Sequence, residues 1–91
     1  MYCENYDFEE IVYPEQKPYT TEYSCRIHNP DKYSSFRRQN NAGKHNGKRL
    51  DFIYGIKSGK SEIQAIRMPK SDWTRESAQK FCSTKEHESF E

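Results

Sequence analysis

The sequence predicts a single small α+β domain in which helices pack on one face of a small antiparallel sheet. Apolar and polar residues alternate on both sides of Ser58 and Gly59, as they do in the two strands of a β-hairpin. An alternating stretch at 21–28 predicts another strand, and a helical pattern follows Pro69. The predicted order of strand, helix, basic loop, β-hairpin and C-terminal helix is typical of the α+β class.

Length and composition allow one domain of modest stability. The chain has 91 residues, of which 32% are charged and 14% are aromatic, and its net charge is +1. A chain of this length supports one small core. Large aromatic side chains offset the shortage of aliphatic ones, because each can bury roughly 150–250 Å². The sequence has no apolar run of the roughly 18 residues that a membrane span needs, so no membrane partner is expected.

The charges are unevenly distributed along the chain. Residues 1–22 carry six acidic side chains against one lysine, whereas residues 23–60 carry nine basic side chains against two acidic ones. Residues 1–20 also contain two prolines and no sustained periodicity, which predicts an acidic, partly ordered N-terminal arm. The apolar and aromatic residues of this arm are expected to dock on the domain or on a partner; they are Phe8, Ile11, Val12 and Tyr13. Residues 21–91 are predicted to form the single α+β domain.

The domain is predicted to begin with a strand followed by a short helix. Tyr23, Cys25 and Ile27 alternate with polar residues, which is typical of a strand with one buried face. The sequence Asn-Pro-Asp at 29–31 is a strong helix start, because asparagine caps the first turn and proline suits the first helical position. We expect this helix to end near Gln39.

A basic loop is predicted next, and it contains the clearest candidate site. Residues 39–49 are rich in asparagine and glycine and nearly free of apolar side chains, which favours a long exposed loop. Long cationic side chains on such a loop suit contacts to phosphate groups. A solubilising loop and contacts to the chain's own acidic arm are the alternatives. The candidate nucleic-acid-binding residues are Arg37, Arg38, Lys44, Lys48 and Arg49.

The turn at Ser58 and Gly59 sets the register of the predicted hairpin, because glycine tolerates the positive φ that two-residue turns need. The resulting pairs are Lys57 with Lys60, Tyr54 with Ile63, Phe52 with Ala65, and Leu50 with Arg67. The apolar face then consists of Leu50, Phe52, Tyr54, Ile56, Ile63 and Ala65. Ile53 and Ile66 are exceptions on the polar face. Pro69 ends the second strand, since it offers no N–H to a neighbouring strand.

The last element is predicted to be an amphipathic helix that covers the hairpin. Thr74 is a good N-cap, and Trp73 before it can pack against Ala78 one turn later. Phe81 and Cys82 share the same helical face. We therefore expect this face to lie on the apolar side of the hairpin.

The three cysteines predict neither a disulfide framework nor a catalytic site. Their odd number and wide spacing fit free thiols in a reducing compartment. Cys25, His28, Cys82 and His87 offer the ligand types of a zinc site. However, Cys25 and His28 project to opposite faces of a strand, and His87 is expected to lie in a frayed tail. Buried thiols are therefore the favoured interpretation. The chain also lacks a recognisable nucleophile signature, and no enzymatic activity, metal or cofactor is expected.

Three pieces of the sequence are distinctive beyond these patterns. They are Cys25-Arg26, the basic Gly-Lys loop before the central strand, and the ending P-K-x-x-W-T…A…F-C at 69–82. Over about residues 20–91, these pieces resemble a small module common in tailed-phage and prophage proteins. That module often lies beside, or fused to, prohead proteases and other head-morphogenesis proteins. Tyr23 stands where many of its members have histidine.

The resemblance implies a non-enzymatic interaction or assembly module of a phage or prophage structural or maturation protein. Its expected partner is a phage or host protein. Two alternatives stay open: a nucleic-acid-binding module that contacts DNA or RNA through the basic loop 37–49, and a small phage anti-defence protein with an acidic arm. The expected location is the cytoplasm of the infected or lysogenic bacterial host, or the virion.

Overall fold

The protein forms one antiparallel sheet with a single α-helix among the residues described. The computed structural model describes residues 21–91 and the backbone of one strand before them, at Asp7–Glu10. The strands are β1 (Asp7–Glu10), β2 (Glu22–Arg26), β3 (Ser35–His45), β4 (Lys48–Lys57), β5 (Lys60–Pro69) and β6 (Ser89–Phe90), and the helix is α1 (Arg75–Ser83). The spatial order is β1-β3-β4-β5-β2-β6. The predicted α+β arrangement, with helices packed on one face, is therefore wrong, because the domain is dominated by its sheet.

The predicted helix between residues 29 and 39 is replaced by a short turn and a long strand. Asn29 does cap a turn, since its side chain accepts a hydrogen bond from the Asp31 N–H, but only a 3-10 turn at Pro30–Lys32 follows. The chain then leaves in an extended conformation at Tyr33 and continues as β3. Polar residues of β3 find partners on the next strand, as Gln39 does in accepting a 2.6 Å hydrogen bond from the Tyr54 hydroxyl. Hydrogen bonds to residues distant in sequence therefore stabilise the strand more than the capping residues at 29–31 stabilise a helix.

The predicted basic loop at 39–49 is also wrong, because these residues form a second β-hairpin. Its turn consists of Asn46 and Gly47, whose φ angles are 52° and 78°. Asn-Gly suits a two-residue hairpin turn that needs positive φ at both positions. The register shifts between Gln39 and Gly43, and Asn41 within this irregularity also has a positive φ.

The hairpin of β4 and β5 confirms the predicted register near its turn and departs from it further along. Lys57 pairs with Lys60 and Tyr54 with Ile63, as predicted. A β-bulge at Gln64 then shifts the pairing by one residue, so that Phe52 lies opposite Ile66 instead of Ala65, and Arg67 lies opposite Asp51 instead of Leu50. Ile66 thereby joins the face of Phe52, and Ala65 joins the face of Ile53.

Each face of the sheet consequently carries buried apolar residues. The helix face, against which α1 packs, contributes Cys25, Leu50, Ile66 and Met68 to a core completed by Trp73, Ala78, Phe81 and Cys82. The opposite face, called the ionic face below, carries a smaller cluster of Phe36, Ile53 and Ala65. The Tyr33 ring covers this smaller cluster and lies so close to Gly55 that any side chain there would overlap it.

Helix α1 begins as predicted. The Thr74 hydroxyl accepts a 3.0 Å hydrogen bond from the Ser77 N–H, and the Ser77 side chain returns a bond to the Thr74 backbone. Trp73, just before the cap, is 3% exposed, and its indole N–H donates a 2.8 Å hydrogen bond to the Arg49 carbonyl. The Trp73 indole therefore connects the start of α1 to β4 through a hydrogen bond. The described residues include no helix with the length and apolar character needed to cross a bilayer.

A disulfide joins Cys25 of β2 to Cys82 of α1, with the two Cα atoms 5.6 Å apart. The prediction of free thiols is therefore wrong for this pair. The odd cysteine count was misleading, because pairing depends on which thiols the fold brings together. Cys3, the remaining cysteine, lies outside the described residues.

Loss of this disulfide is expected to lower the free energy of unfolding by about 2–4 kcal/mol. The bond closes a loop of 57 residues in sequence, which restricts the unfolded chain. Urea unfolding of Cys25→Ser/Cys82→Ser measures the effect, with Cys3→Ser as the matched control that keeps the bond. Equal midpoints for the double variant and this control would contradict a Cys25–Cys82 disulfide in the folded protein.

Candidate functional site

The five predicted phosphate-contacting residues are split between the two faces of the sheet. Side chains alternate along β3 and β4, so neighbouring basic residues point in opposite directions. Arg37 lies opposite Tyr54 and Lys48 lies opposite His45, which places both on the helix face. Arg38, Lys44 and Arg49 lie on the ionic face. The structure therefore does not gather the five residues into one patch.

Two of the five are engaged in a cluster of charges on the ionic face. Arg38 donates hydrogen bonds to Glu22 (2.5 and 3.0 Å) and to Asp51 (2.8 Å). Arg49 donates two hydrogen bonds, of 2.8 and 2.9 Å, to the same Asp51 carboxylate. Arg67 completes the group with a 2.6 Å bond to Glu22. We call these five residues the ionic cluster: Glu22, Arg38, Arg49, Asp51 and Arg67.

Three members of the ionic cluster, Glu22, Asp51 and Arg67, are buried, whereas the side chains of Arg38 and Arg49 are 15% and 43% exposed. Asp51 and Arg67 are 0% exposed. Burial by itself raises the pKa of Glu22, but the hydrogen bonds and charges of Arg38 and then Arg67 outweigh it and lower that pKa. The pKa of Asp51 is lowered in the same way, because bonds from Arg49, the Asn41 N–H and Arg38 outweigh the effect of burial. The two carboxyl groups therefore stay ionised at neutral pH and keep their ion pairs with the arginines.

The stability of the domain is expected to fall when the pH drops below about 4.5. The ordinary pKa values are 4.5 for Glu22 and 3.8 for Asp51, and each is lower in the folded state. The stabilisation is therefore complete above these values and is lost as the pH falls through the folded-state pKa values. Urea unfolding across this pH range measures it, and Glu22→Gln should flatten the profile. A stability that stays level well below pH 3.8 would contradict the role of the cluster.

The acidic N-terminal segment runs along the basic strand β3 at the level of the backbone. β1 pairs with β3 so that Glu9 lies opposite Arg38 and Glu10 lies opposite Arg37. This register agrees with the alternative in which the basic residues contact the chain's own acidic arm. The rest of the predicted arm, residues 1–6 and 11–20, lies outside the described residues.

Basic residues that stay clear of the ionic cluster surround a small pocket at the tip of the β3–β4 hairpin. Its volume is about 310 Å³, and its lining contains no carboxylate. A separate pocket of about 380 Å³ at the β4–β5 hairpin has Glu62 in its lining. The His45 ring lies 4.8 Å from the Phe81 ring, and the Lys48 ammonium lies 5.5 Å from the centre of the Trp73 ring. The hairpin-tip pocket is lined by His45, Asn46, Lys48, Trp73, Ser77, Lys80, Phe81 and Thr84.

A groove on the helix face is lined mostly by apolar side chains. Its volume is 360 Å³, and Lys85 and Glu86 stand at its rim. Helix α1 has nine residues and is about 14 Å long, and it leaves part of this face uncovered. The apolar groove is lined by Ile27, Leu50, Phe52, Ile63, Ile66 and Phe81.

The apolar groove continues into a row of half-exposed apolar side chains toward the β4–β5 turn. Alternation along β4 places Tyr54 and Ile56 on the same face as Phe52, and each is partly exposed. Sequence reasoning identified these residues as an apolar face but assigned the whole face to helix packing. The sequence did not show how much of this face a nine-residue helix would leave uncovered.

Comparisons with known proteins do not identify a relative. No protein-family model matches the chain, no curated protein matches it and no solved structure matches it. The resemblance to a phage module therefore remains a prediction from the sequence.

Proposed function

We propose that the chain is a non-enzymatic interaction module of a phage or prophage structural or maturation protein, acting in the bacterial cytoplasm during infection or lysogeny. The partner protein docks an amphipathic helix with acidic flanks into the apolar groove. The observation that carries this proposal is the half-covered helix face. Contiguous exposed apolar surface on a small domain is typical of a protein interaction site.

A helix is the favoured occupant because of the shape of the groove. Its floor is the sheet, formed in part by Phe52 and Ile63, and one wall is Phe81 of α1 with the turn that follows. A second helix can lie beside α1 on the same face, as helices do when they cover a sheet. The apolar stripe of an amphipathic helix would then bury the exposed parts of Ile27, Phe52 and Ile63.

Acidic flanks on the partner follow from the charge of the domain. Residues 21–91 contain fourteen Lys and Arg against nine Asp and Glu, a net charge of +5. Lys85 lies at the rim of the groove, with its ammonium 5.2 Å from the centre of the Phe81 ring. Opposite charge on the partner increases the association rate and disfavours basic competitors.

The hairpin-tip pocket supports nucleic-acid binding as a second candidate function. Lys48 and Lys80 line it together with His45, and its lining lacks any acidic side chain. Such a site suits a phosphate group of DNA or RNA. It retains only one of the five predicted contact residues, Lys48, so the apolar groove is the favoured site.

The test is a titration of the ¹⁵N-labelled full chain with two designed helical peptides. Each peptide has ~18 residues (about five turns) and a leucine stripe, with glutamate flanks in one and lysine flanks in the other. We expect the glutamate peptide to shift the amide signals of Ile27, Phe52 and Ile63 and to bind more tightly than the lysine peptide. Ile63→Ser should weaken binding, whereas the matched control Lys60→Ser at the nearby turn should not.

Three results would overturn the proposal. The first is that neither peptide shifts the groove signals, and the second is that the two peptides bind equally. The third is a shift of the same signals with protein concentration alone, which would assign the groove to a second copy of the chain. A single-stranded oligonucleotide that shifts His45 and Lys48 at low salt, while the peptides do nothing, would favour the second candidate function.

A further inference from the structure

We propose that reduction of the Cys25–Cys82 disulfide creates a Zn²⁺ site made of Cys25, Cys82 and His87. The two sulfur atoms and one ring nitrogen of His87 all lie within 4.8 Å of one another. Thiolate and imidazole are the ligands that zinc prefers in proteins. This inference rests on the cysteine pair and is independent of the apolar groove.

The distances suit zinc once the disulfide is open. Tetrahedral zinc, with Zn–S near 2.3 Å and Zn–N near 2.0 Å, holds its ligand atoms about 3.6–3.8 Å apart. The two cysteine Cα atoms are 5.6 Å apart, so rotation about the Cα–Cβ bonds can separate the sulfurs without moving the backbone far. Relative to the sulfur positions in the disulfide form, the His87 nitrogen needs to approach by about 1 Å.

A hydrogen bond to the backbone orients the His87 ring for metal binding. Its Nδ1 lies 2.8 Å from the Lys85 carbonyl oxygen, which can only accept a hydrogen bond, so Nδ1 is the donor and Nε2 is the ring nitrogen available to a metal. Zinc-bound histidines commonly make such a bond from the other ring nitrogen. His87 is exposed, whereas the two cysteines are buried, so the metal would enter from the His87 side.

The fourth ligand is expected to be water. His28 completed the four-residue set considered from the sequence, but its ring lies 3.9 Å from the Glu62 carboxylate and it is not part of the three-residue group. Three protein ligands leave one zinc position open to solvent.

The redox step is a simple exchange. A dithiol reductant transfers two electrons and two protons to the disulfide, which yields two cysteine thiols and the oxidised disulfide of the reductant. Zn²⁺ then displaces the two thiol protons. The disulfide and the zinc site each connect β2 to α1, so the domain would keep this connection in an oxidising or a reducing compartment.

The test compares metal binding by the reduced and oxidised full chain in a Cys3→Ser background, which removes the third thiol. Co²⁺ serves as the spectroscopic probe, because its thiolate charge-transfer bands report cysteine ligation, and Zn²⁺ should displace it. We expect one Co²⁺ per reduced chain and none per oxidised chain. His87→Ala should weaken binding by about tenfold or more. The matched control is His28→Ala, which should bind like the parent.

Several outcomes would overturn the site. They are equal binding by the oxidised chain, no thiolate bands in the reduced chain, and a His87→Ala variant that binds as tightly as the parent. The melting temperature of the oxidised His87→Ala protein shows whether the substitution disturbs the fold. Zn²⁺ should also raise the melting temperature of the reduced parent, and no rise at saturating metal would contradict the proposed connection between β2 and α1.

Discussion

Replacing Trp73 with alanine is expected to lower the free energy of unfolding by about 3–5 kcal/mol, which is a large share of the stability of a small domain. The indole is 3% exposed and packs against the Phe81 ring, with centroids 5.5 Å apart. Its removal leaves a cavity between β4 and α1, and the Arg49 carbonyl loses its 2.8 Å hydrogen bond from the indole N–H. Urea unfolding followed by circular dichroism measures the effect.

Trp73→Phe separates the two contributions. Phenylalanine keeps most of the ring but has no N–H, so its cost should be smaller than that of alanine and includes about 1–3 kcal/mol for the unpaired carbonyl. An alanine variant that unfolds at the parent's urea concentration would show that α1 does not pack on the sheet through Trp73.

Replacing Asp51 with alanine is expected to cost about 3–5 kcal/mol, because the mostly buried Arg38 and the buried Arg67 then share the single Glu22 carboxylate. The Asp51 carboxylate is 0% exposed and accepts hydrogen bonds from Arg38, Arg49 and the Asn41 N–H. The same substitution at an exposed acidic residue should behave differently. Asp31→Ala, in the 3-10 turn, is expected to change the stability by less than about 0.5 kcal/mol.

A second variant distinguishes the loss of charge from the loss of shape. Asp51→Asn keeps the size of the side chain but removes its negative charge, so it should also be strongly destabilising if the Asp51 carboxylate is buried as described. Equal stabilities for Asp51→Asn, Asp31→Ala and the parent in urea unfolding would contradict the burial of the Asp51 carboxylate.

The parts of the fold that could be predicted were those with strong local signals. The Ser58–Gly59 turn, the alternation beside it and the Thr74 cap are each encoded within a few residues, and the structure confirms all three. The bulge at Gln64 could not be predicted, because the Gln64 backbone carbonyl accepts hydrogen bonds from Ile27 and His28 of the chain after β2. Such partners are invisible to a local pattern.

The strand β3 was missed for a related reason. Its residues are mostly polar and lack the β-branched side chains that favour strands. Arg38 and Gln39 are accommodated because Glu22, Asp51 and Tyr54 lie on other strands. The Asn46-Gly47 dipeptide was the available signal, since Asn-Gly between two strand-length segments is typical of a hairpin turn. Its polar surroundings favoured the loop interpretation instead.

The candidate site was predicted only in part. Charge counting located the basic segment but could not separate Lys48 at the pocket from Arg38 and Arg49 in the ionic cluster, because this depends on strand register. The disulfide and the apolar groove likewise depend on which residues meet across β2, β4, β5 and α1.

The most direct test of the open helix face is the solvent accessibility of isoleucine methyl groups. A soluble gadolinium chelate added to methyl-labelled protein enhances the NMR relaxation of exposed methyl groups. Ile27 and Ile63 are partly exposed in the groove region, whereas Ile53 is 0% and Ile66 is 6% exposed. We expect strong enhancement at Ile27 and Ile63, weak enhancement at Ile53 and Ile66, and renewed protection of Ile27 and Ile63 when the glutamate-flanked peptide is added. Equal protection of all four residues in the free protein would contradict an open groove and the proposed docking of a partner helix.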